Sequence, residues 1–456
     1  MRFFFILFFL SIINNLKAQT CGCRSSIVTL IKLVEENYAG FNDKYREDSL
    51  KYRMFKKQIN NFLPKKDTFD FNCYLLLKKY TAFFKDPHLA VYFNTIEYST
   101  EVRKLFSSNF PIYSTKIKVK RRNSFLEDYW IDDTKRYIIK VVQVNKNHFI
   151  GFVSKGDSLY WFKNQIKLKI KKNKDNSYFV KYFQRDHSSI TTNLVFLENE
   201  FKLGKYARFT RVSASEDLLK PKFTFQNINK TFSYLKLPNF YLDNLKIIDS
   251  IIQYNKKAIE NTKYLIIDLR NNSGGSNLGF SKLLPYIYTN PMIKQGYSIL
   301  ASPVNIGEYE KYARDEKLPQ SIRYSYIEIL KALKNKIDNL VEIVKSTEIH
   351  YDTIYENPKK IFILVNEKSA SVSEQFILLA KQSKKTIIVG NPTAGSIDYN
   401  DINYDISLPC KFLNLYYPMS RSNRVVNIKL HSQIKPDIDL RIPDNNWVPF
   451  IINHFN

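Results

Sequence analysis

The sequence has little glycine and little proline, with 12 and 16 residues among 456. Collagen-like and low-complexity architectures need far more of both and are therefore excluded. No internal repeat recurs at the spacing of solenoids or propellers. Instead, 44% of the residues are hydrophobic and 15% are aromatic. A chain of this length and composition can bury a substantial core, and we expect it to form about two to four structural units.

Long apolar runs are also missing, apart from one at the N-terminus. Met1 and Arg2 precede an apolar run over residues 3–13, and Ala18 offers a small residue at a cleavage point. A short run behind a positive charge is typical of a signal peptide, whereas a membrane span needs about 20 apolar residues. The alternative, a buried N-terminal helix, would rarely be apolar on every face. We therefore expect residues 1–18 to be a signal peptide and the protein to be periplasmic or extracellular.

Acidic residues are outnumbered, with 43 Asp and Glu against 70 Lys and Arg, so that the formal net charge is +27. The lysines are scattered through segments rich in Asn, Ile, Tyr and Phe, and no recognised nucleic-acid-binding motif accompanies them. Net charge bears on solubility and non-specific association rather than on fold. We therefore expect no nucleic-acid partner and predict attraction to an anionic envelope surface. The oligomeric state stays open.

Cysteine is scarce as well, with four residues at Cys21, Cys23, Cys73 and Cys410. An exported setting permits disulfides among them, and four cysteines allow three complete pairings that the sequence does not distinguish. No histidine or second cysteine pair stands at zinc-site spacing from Cys21 and Cys23. The residues before Cys21 also do not fit a lipoprotein signal. We therefore predict structural cysteines or free thiols.

Three regions follow the predicted signal peptide. Residues 19–100 carry apolar residues at helical spacing, and residues 101–225 carry short β-type runs separated by polar turns. In residues 226–456, continuous apolar strands alternate with helices, which indicates an α/β unit whose sheet is covered on both faces. A periodic apolar pattern from Tyr326 to Val344 predicts one long amphipathic helix that packs on this sheet.

Residues able to carry chemistry follow two predicted strands of the α/β unit. The first strand ends in D-L-R-N-N-S-G-G, where Gly274 and Gly275 let the backbone approach a ligand and turn its N–H groups outward. The second ends in S-A-S-V-S-E before an apolar helix, and Ser371 lies where a helix N-terminus favours negative charge. Taken alone, a Gly-Gly turn is an ordinary turn, and Ser369, Ser371 and Ser373 are ordinary helix caps.

The two motifs, together with G-N-P-T-A-G at residues 390–395, occur in the order found in a known family. Over residues 230–445 the sequence resembles the tail-specific, or C-terminal-processing, serine peptidases and the related tricorn core. The resemblance implies that the α/β unit is a crotonase/ClpP-like peptidase core. The predicted fold is therefore this α/β core with the helical N-terminal region and the β-rich inserted module read from the residue patterns. The resemblance also implies a serine peptidase that acts on peptides or proteins.

The same resemblance implies the catalytic roles. Ser371 matches the family nucleophile, and the backbone N–H of Val372 together with that of Gly274 or Gly275 is expected to form the oxyanion hole. The tail-specific branch has its catalytic lysine at the position of Ser396. The sequence is therefore closer to the tricorn-like branch, which lacks that lysine and takes its base from a histidine.

The resemblance points to His88 as the base, because the segment D-P-H matches the D-x-H element of the tricorn-like branch. His431 is the reserve candidate, since it lies in a segment that often closes over the family's active site. The acid that orients the histidine is not in its usual place, and Gln433 replaces the glycine of the closing G-I-x-P-D element. Four aspartates stay open as substitutes: Asp86, Asp398, Asp401 and Asp405.

Other catalytic classes lack their motifs. The sequence has no G-x-S-x-G elbow, no H-E-x-x-H zinc site and no phosphate loop ending in G-K-[ST], so we predict no metal and no cofactor. Two alternatives to an active peptidase stay open. One is a catalytically impaired peptidase-fold protein that binds peptides or apolar ligands, which the departures at Ser396, Leu430 and Gln433 would fit. The other is an envelope-surface binding protein that acts through its basic charge.

Overall fold

The computed structural model describes most of the chain. It covers residues 21–455 except 95–96, 99, 103–104, 106–123, 157–160, 185–186, 198, 205, 213–221 and 427–432. The predicted signal peptide at residues 1–18, Leu430 and the reserve histidine His431 lie outside the described residues. No helix in the described part of the chain has both the length and the apolar content needed to cross a bilayer.

Residues 21–94, the continuously described part of the N-terminal region, contain four helices, because apolar residues recur there at every third or fourth position. Ile27, Leu30 and Val34 share one face of the first helix and are fully buried. The fourth helix is capped by Asp70, whose carboxylate accepts a hydrogen bond from the Cys73 N–H at 2.8 Å. The helices are α1 (Cys23–Asn37), α2 (Phe41–Glu47), α3 (Ser49–Asn61) and α4 (Phe71–Ala82), and strand β1 (Ala90–Phe93) follows them.

Two disulfides fasten this helical region, and they select one of the three pairings that the sequence left open. Cys23 is bonded to Cys73 across 50 residues and joins α1 to the start of α4. Cys21 is bonded to Cys410 across 389 residues and ties the same region to the C-terminal half. All four cysteines are paired, so the free thiols predicted as the alternative are not present. Cross-links between distant segments stabilise a fold mainly by constraining the unfolded chain.

The β-rich middle module is a closed barrel of eight antiparallel strands. Its last strand pairs with its first, so the barrel has no free edge. Buried rings from neighbouring strands fill the interior, and Phe201 stacks on Phe209 with ring centroids 5.0 Å apart. The strands are β2 (Tyr129–Asp132), β3 (Tyr137–Asn145), β4 (His148–Gly156), β5 (Ile166–Lys172), β6 (Tyr178–Phe183), β7 (Ser189–Leu197), β8 (Glu200–Leu203) and β9 (Ala207–Val212).

Strands and helices alternate through the rest of the chain. The strands are β10 (Thr224–Asn227), β11 (Phe232–Lys236), β12 (Tyr264–Asp268), β13 (Met292–Lys294), β14 (Tyr297–Leu300), β15 (Leu340–Val344), β16 (Thr347–Ile349), β17 (Lys360–Val365), β18 (Thr386–Gly390), β19 (Tyr399–Ser407), β20 (Leu413–Ser422) and β21 (Ile438–Asp439). The helices are α5 (Leu245–Tyr254), α6 (Lys256–Asn261), α7 (Leu278–Ser281), α8 (Leu284–Ile287), α9 (Pro303–Arg314), α10 (Gln320–Lys334), α11 (Val372–Ala380) and α12 (Trp447–Phe455).

Six of these strands form the core sheet, in the order β10-β11-β12-β17-β18-β21. Neighbours from β11 to β21 run parallel, and only the edge strand β10 is antiparallel. Along β12, Leu265 and Ile267 face one apolar layer, and Ile266 faces the other, which contains Trp447 of α12. Strands buried on both faces read as continuous apolar runs. The predicted α/β fold of the core is therefore confirmed.

A second, antiparallel sheet connects the helical region to the core. Its order is β1-β20-β14-β15, and β19 pairs with β20. Strand β1 lies against β20, with Ala90 opposite Tyr416 and Phe93 opposite Leu413. His88 comes two residues before β1. The pairing therefore holds this N-terminal histidine beside strands from the C-terminal half.

The long amphipathic helix predicted from Tyr326 to Val344 is only partly correct. Helix α10 ends at Lys334, and the residues from Leu340 to Val344 form β15, which pairs with β14. Between them, Asp338 adopts a φ of +62°, which an α-helix does not allow. The apolar residues keep a helical spacing beyond the turn. Their backbone nevertheless forms a strand, because it pairs with β14.

Candidate active site

The two strand-end motifs meet at one edge of the core sheet. Strands β12 and β17 are parallel neighbours, with Asp268 opposite Leu364, so both carboxyl ends open at the same edge. Beyond the strands, the Asn271 N–H donates to the Asn366 side-chain oxygen at 2.9 Å, and the Asn366 amide donates back to the Asn271 side-chain oxygen at 3.0 Å. These bonds join the glycine turn to the serine loop.

Asp268 and Arg270 of the first motif form a buried ion pair under the turn. The Asp268 carboxylate accepts from the guanidinium of Arg270 at 2.7 and 2.9 Å, from Lys236 at 3.1 Å and from the Tyr234 hydroxyl at 2.6 Å. Burial by itself would raise the pKa of Asp268. The hydrogen bonds and charge of Arg270, together with Lys236, outweigh burial and hold that pKa well below its usual range. These residues therefore support the turn and do not face the cleft.

Asn272 links the glycine turn to the serine helix. Its side-chain oxygen accepts from the Gly274 N–H at 2.9 Å and from the Ser373 hydroxyl at 2.7 Å. The Gly274 N–H is therefore already engaged, and of the two glycines expected as oxyanion donors Gly275 is the one whose N–H is available. Within the described residues, the N–H groups of Gly275 and Val372 donate no hydrogen bond. The pair Gly275 and Val372 remains for that role.

Ser371 is held in a conformation that side chains other than glycine rarely adopt. It precedes α11 with φ +56° and ψ −120°. Such strain persists only where the surroundings impose it, and it clusters at functional sites. Gly274 makes the conformation possible, because a Cβ at Gly274 would come within 2.9 Å of the Ser371 Cβ and 2.8 Å of the Val372 nitrogen. The tight approach of the two motifs therefore depends on glycine at 274.

The structure separates the three serines of the second motif. The Ser369 hydroxyl donates to the Leu269 carbonyl at 2.8 Å, and the Ser373 hydroxyl donates to the Asn272 carbonyl at 2.8 Å. Both of these serines are fully buried. Only Ser371 lines a cleft. Ser369 and Ser373 therefore have structural roles, as the local sequence pattern allowed.

Glu374 fixes the backbone of Ser371. Its buried carboxylate accepts from the Ser371 N–H at 3.0 Å, the Thr393 hydroxyl at 2.5 Å, and the N–H groups of Gly395 and Ser396 at 2.8 Å each. The Ser396 hydroxyl accepts from the Ser371 N–H and donates to Glu374, both at 3.0 Å. Ser396 occupies the position of the lysine in the tail-specific branch. Its hydroxyl therefore helps to fix the backbone of Ser371 by a hydrogen bond.

His88 is oriented by a backbone carbonyl. Its Nδ1 lies 3.0 Å from the Tyr399 carbonyl oxygen. Because a carbonyl only accepts, Nδ1 carries the proton of the neutral imidazole, and this tautomer leaves on Nε2 the lone pair that a general base needs. The Asp86 carboxylate is 3.9 Å from Nδ1, too far for a hydrogen bond, and accepts instead from the His88 backbone N–H at 2.9 Å. The other oxygen of the Asp86 carboxylate accepts a hydrogen bond from the Tyr38 hydroxyl at 2.8 Å.

His88 and Ser371 line the same cleft, whose volume is about 840 Å³. The cleft lies between the glycine turn, the start of α11, the second sheet and the barrel turn between β2 and β3. Tyrosine rings form one wall, with Tyr92 and Tyr416 at 4.5 Å and Tyr404 and Tyr416 at 5.0 Å between centroids. The remaining lining residues are Pro87, Arg136, Tyr241, Ser273, Gly275, Ser276, Asn277, Val372, Gln375, Asn400, Asp401 and Ile402.

The other candidate acids have different surroundings in the described part of the chain. Asp398 is buried, and its carboxylate lies 3.3 Å from the Arg424 guanidinium. Asp401 lines the cleft. The side chain of Asp405 lies outside the described residues. Within the described ranges, no three His, Cys, Asp or Glu side chains are grouped to hold a metal ion.

Sequence reasoning missed two parts of this site. The Tyr399 carbonyl carries no signal in the sequence, because any residue presents the same backbone group. Glu374 stood in the S-A-S-x-x-E motif, but only the fold shows which N–H groups its carboxylate accepts. Buried polar groups of this kind need partners, and the spacing of residues does not name them.

Replacing Gly274 by alanine is expected to lower kcat by about 10²- to 10³-fold, the usual cost of losing one oxyanion donor. The new Cβ would meet the Val372 nitrogen at 2.8 Å and displace that N–H, and the φ of +94° strains any other residue. Gly307→Ala is the matched control, because nothing lies within 4 Å of the added Cβ. Kinetics of both variants check this. Unchanged kcat in a folded Gly274→Ala protein would contradict it.

Known proteins are similar to this chain in sequence over one segment and in fold over most of its length. The model of peptidase family S41 matches residues 231–440. A structure of mature CPAF complexed with lactacystin superposes with a TM-score of 0.52 at 12% identity, over 93% of this chain and 95% of that chain. A second structure of mature CPAF gives a TM-score of 0.50 at 12% identity, over 93% of this chain and 94% of that one.

At this level of identity the solved structures show a common fold, which extends beyond the matched segment. No curated protein matches the sequence. The family match covers both strand-end motifs, the loop that carries Ser396 and the last strand of the core sheet. The match over residues 231–440 therefore confirms the predicted resemblance to peptidase family S41, the tail-specific peptidases, and the protein is a serine-type peptidase.

Proposed function

We propose that this peptidase cleaves peptide bonds through an acyl-enzyme on Ser371, with His88 as the general base. One observation carries the proposal: the two side chains line one cleft, and the Tyr399 carbonyl leaves His88 Nε2 able to accept a proton. A serine hydroxyl is a weak nucleophile until a neighbouring base takes its proton. His88 is the only histidine among the described residues that lines this cleft.

In the proposed reaction, the Ser371 hydroxyl attacks the peptide carbonyl while His88 Nε2 takes its proton. The N–H groups of Gly275 and Val372 bind the oxyanion of the tetrahedral intermediate, and the N-terminus of α11 adds its positive end. The imidazolium then gives its proton to the leaving amine, so that the C–N bond breaks. A water molecule, deprotonated by His88, then attacks the acyl-enzyme, and the acyl group is released from Ser371.

The hydrogen-bond partner of His88 Nδ1 is a neutral carbonyl, and we expect this to limit the turnover rate. A carboxylate stabilises a developing imidazolium more strongly than a carbonyl does, because charge-assisted hydrogen bonds are about twice as strong as neutral ones. His88 Nδ1 is bonded to the Tyr399 carbonyl, and Asp86 is held 3.9 Å away. We therefore expect turnover below that of a serine peptidase with a complete triad, without loss of the mechanism.

We also propose that the protein works outside the cytoplasm. The N-terminal segment supports export by its charge and its short apolar run. The two disulfides support it as well, because such bonds persist in oxidising compartments. N-terminal sequencing of the protein recovered from cell fractions tests this. A mature protein that starts at Gln19 outside the cytoplasm is expected, and an intact Met1 on a cytoplasmic protein would contradict export.

A second candidate is a peptide-binding protein that keeps the fold without turnover. Two observations favour it: the carbonyl in place of an acid beside His88, and the hydroxyl of Ser396 at the usual lysine position. Such a protein would hold peptides in the cleft with an affinity that does not depend on the Ser371 hydroxyl. The same purified samples distinguish the two functions.

The experiment is hydrolysis of dye-quenched casein by the purified mature protein beside its Ser371→Ala variant. Release of fluorescence by the wild type that the variant lacks is the expected result. Equal release by both would assign the activity to a contaminant or another residue. No release by a folded wild type that still binds dye-labelled peptides would favour the binding protein.

A further inference from the structure

Arg136 places a positive charge in the cleft, and it comes from the barrel rather than from the peptidase core. It lies in the turn between β2 and β3, is half-buried, and lines the cleft together with His88 and Ser371. Within the described residues, its guanidinium forms no ion pair and no side-chain hydrogen bond. An arginine in a cleft that is partly shielded from water is able to pair with an anion that enters, because less solvation is then lost on binding.

The turn that presents Arg136 is rigid. The buried Asp132 carboxylate accepts from the N–H groups of Thr134 at 3.2 Å, Arg136 at 2.8 Å and Tyr137 at 2.7 Å. Three backbone bonds to one carboxylate fix the path of the chain. A side chain on such a turn loses less conformational freedom on binding than one on a flexible loop.

The barrel is also fastened to the core beside the serine loop. The Asp133 carboxylate forms an ion pair with Lys368, three residues before Ser371, and the Arg208 guanidinium lies 3.0 Å from the Asp444 carboxylate. Asp133 is in the same turn as Arg136. An ion pair between the barrel and the serine loop is therefore formed by the same turn that carries Arg136.

We propose that Arg136 binds a carboxylate of the peptide substrate and so determines which peptides this peptidase cleaves. The proposal deepens the function proposed above and rests on it. A guanidinium matches a carboxylate with two parallel hydrogen bonds. The carboxylate belongs either to an Asp or Glu side chain or to the peptide C-terminus, since both present the same group. Asp401 is the only carboxylate that lines the described cleft, and it makes no ion pair with Arg136.

The test uses quenched peptides in matched pairs. One pair differs by Glu or Gln at a single position, scanned along the peptide, and the other pair by a free or an amidated C-terminus. The quantity measured is the ratio of kcat/KM within each pair. Wild type is expected to favour the carboxylate member of one pair by about 10- to 100-fold, the usual worth of a hydrogen-bonded charge. The pair that shows the preference identifies the source of the carboxylate.

Arg136→Glu is expected to reverse that preference, and Arg136→Lys to keep part of it, because lysine retains the charge without the planar fork. Lys163→Glu changes the net charge equally from an exposed position that does not line the cleft, so it is expected to keep the wild-type ratio. An unchanged ratio in Arg136→Glu would overturn the proposal, and so would an equal loss of preference in Lys163→Glu.

A protein without peptidase activity can be distinguished from one in which Arg136 has no role in substrate binding. If wild type cleaves none of the peptides, fluorescence anisotropy measures the binding of the same pairs. A carboxylate preference in binding that Arg136→Glu reverses would support the role of Arg136 although the catalytic proposal had failed. Equal binding of both members of every pair would overturn the role of Arg136 as well.

Discussion

Ser371→Ala is expected to lower kcat/KM by about 10⁴- to 10⁶-fold, and His88→Ala by a similar factor, because nucleophile and base act as one unit. For the same reason, the double variant is expected to be no slower than the slower single variant. A residual rate above that of water is expected, since the proposed oxyanion donors, the N–H groups of Gly275 and Val372, are retained. Steady-state kinetics of the three variants measure this non-additivity.

Ser273→Ala is the matched control for a lost hydroxyl. Ser273 lines the same cleft, and its Oγ lies 2.6 Å from the Tyr241 hydroxyl, so its loss removes one hydrogen bond at the cleft wall. A change in kcat/KM of less than about tenfold is expected, as for one neutral hydrogen bond. Effects of Ser371→Ala and His88→Ala that multiply in the double variant would show that the two residues act independently, which contradicts the proposed mechanism.

Asp268→Asn is expected to lower the free energy of unfolding by about 3 to 5 kcal/mol at neutral pH, the usual cost of breaking a buried ion pair from one side. Asp268 is fully buried and holds Arg270 and Lys236, so the variant leaves two cations without their partner. Urea denaturation followed by circular dichroism measures the loss. Asp249→Asn removes an ion pair exposed on both sides and is expected to cost less than about 1 kcal/mol.

The effect of Asp268 also depends on pH in a defined direction. Its pKa is lowered in the folded protein, so its contribution is complete above the unfolded value of about 3.9 and is lost as the pH falls toward the folded pKa. The difference between wild type and Asp268→Asn is therefore expected to stay constant from pH 7 to pH 5 and to shrink below pH 4. A difference that grew on acidification would contradict the ion pair.

Much of the core fold could be predicted because its strands are buried on both faces. The apolar runs of β12 and β17 stand out in the sequence, and their carboxyl ends must open at one edge in a parallel sheet. The helix predicted from the apolar spacing was wrong from Leu340 to Val344. These residues continue the helical spacing by coincidence, but they form a strand that pairs with β14. Local pattern does not carry information about such distant partners.

In the candidate site, residues whose side chains carry the chemistry could be predicted from the sequence, whereas contacts of the backbone could not. The motifs indicated Ser371, His88 and the glycine turn, because those roles need particular residue types. They did not distinguish Gly274 from Gly275, which depends on the position of the Asn272 side chain. The carbonyl of Tyr399 beside His88 and the arrival of Arg136 from the barrel depend on segments far apart in the chain. The expected attraction to an anionic envelope surface, and the expected absence of a nucleic-acid partner, stay predictions.

The most direct measurement is the site and rate of covalent labelling by a fluorophosphonate, which reacts with activated serines. The mature protein is labelled, digested and mapped by mass spectrometry, beside Ser371→Ala and His88→Ala. We expect one phosphonylated residue, Ser371, no label in Ser371→Ala and labelling slowed by at least about 100-fold in His88→Ala. A label on another residue, or labelling of Ser371 at the same rate without His88, would contradict the proposed nucleophile and base.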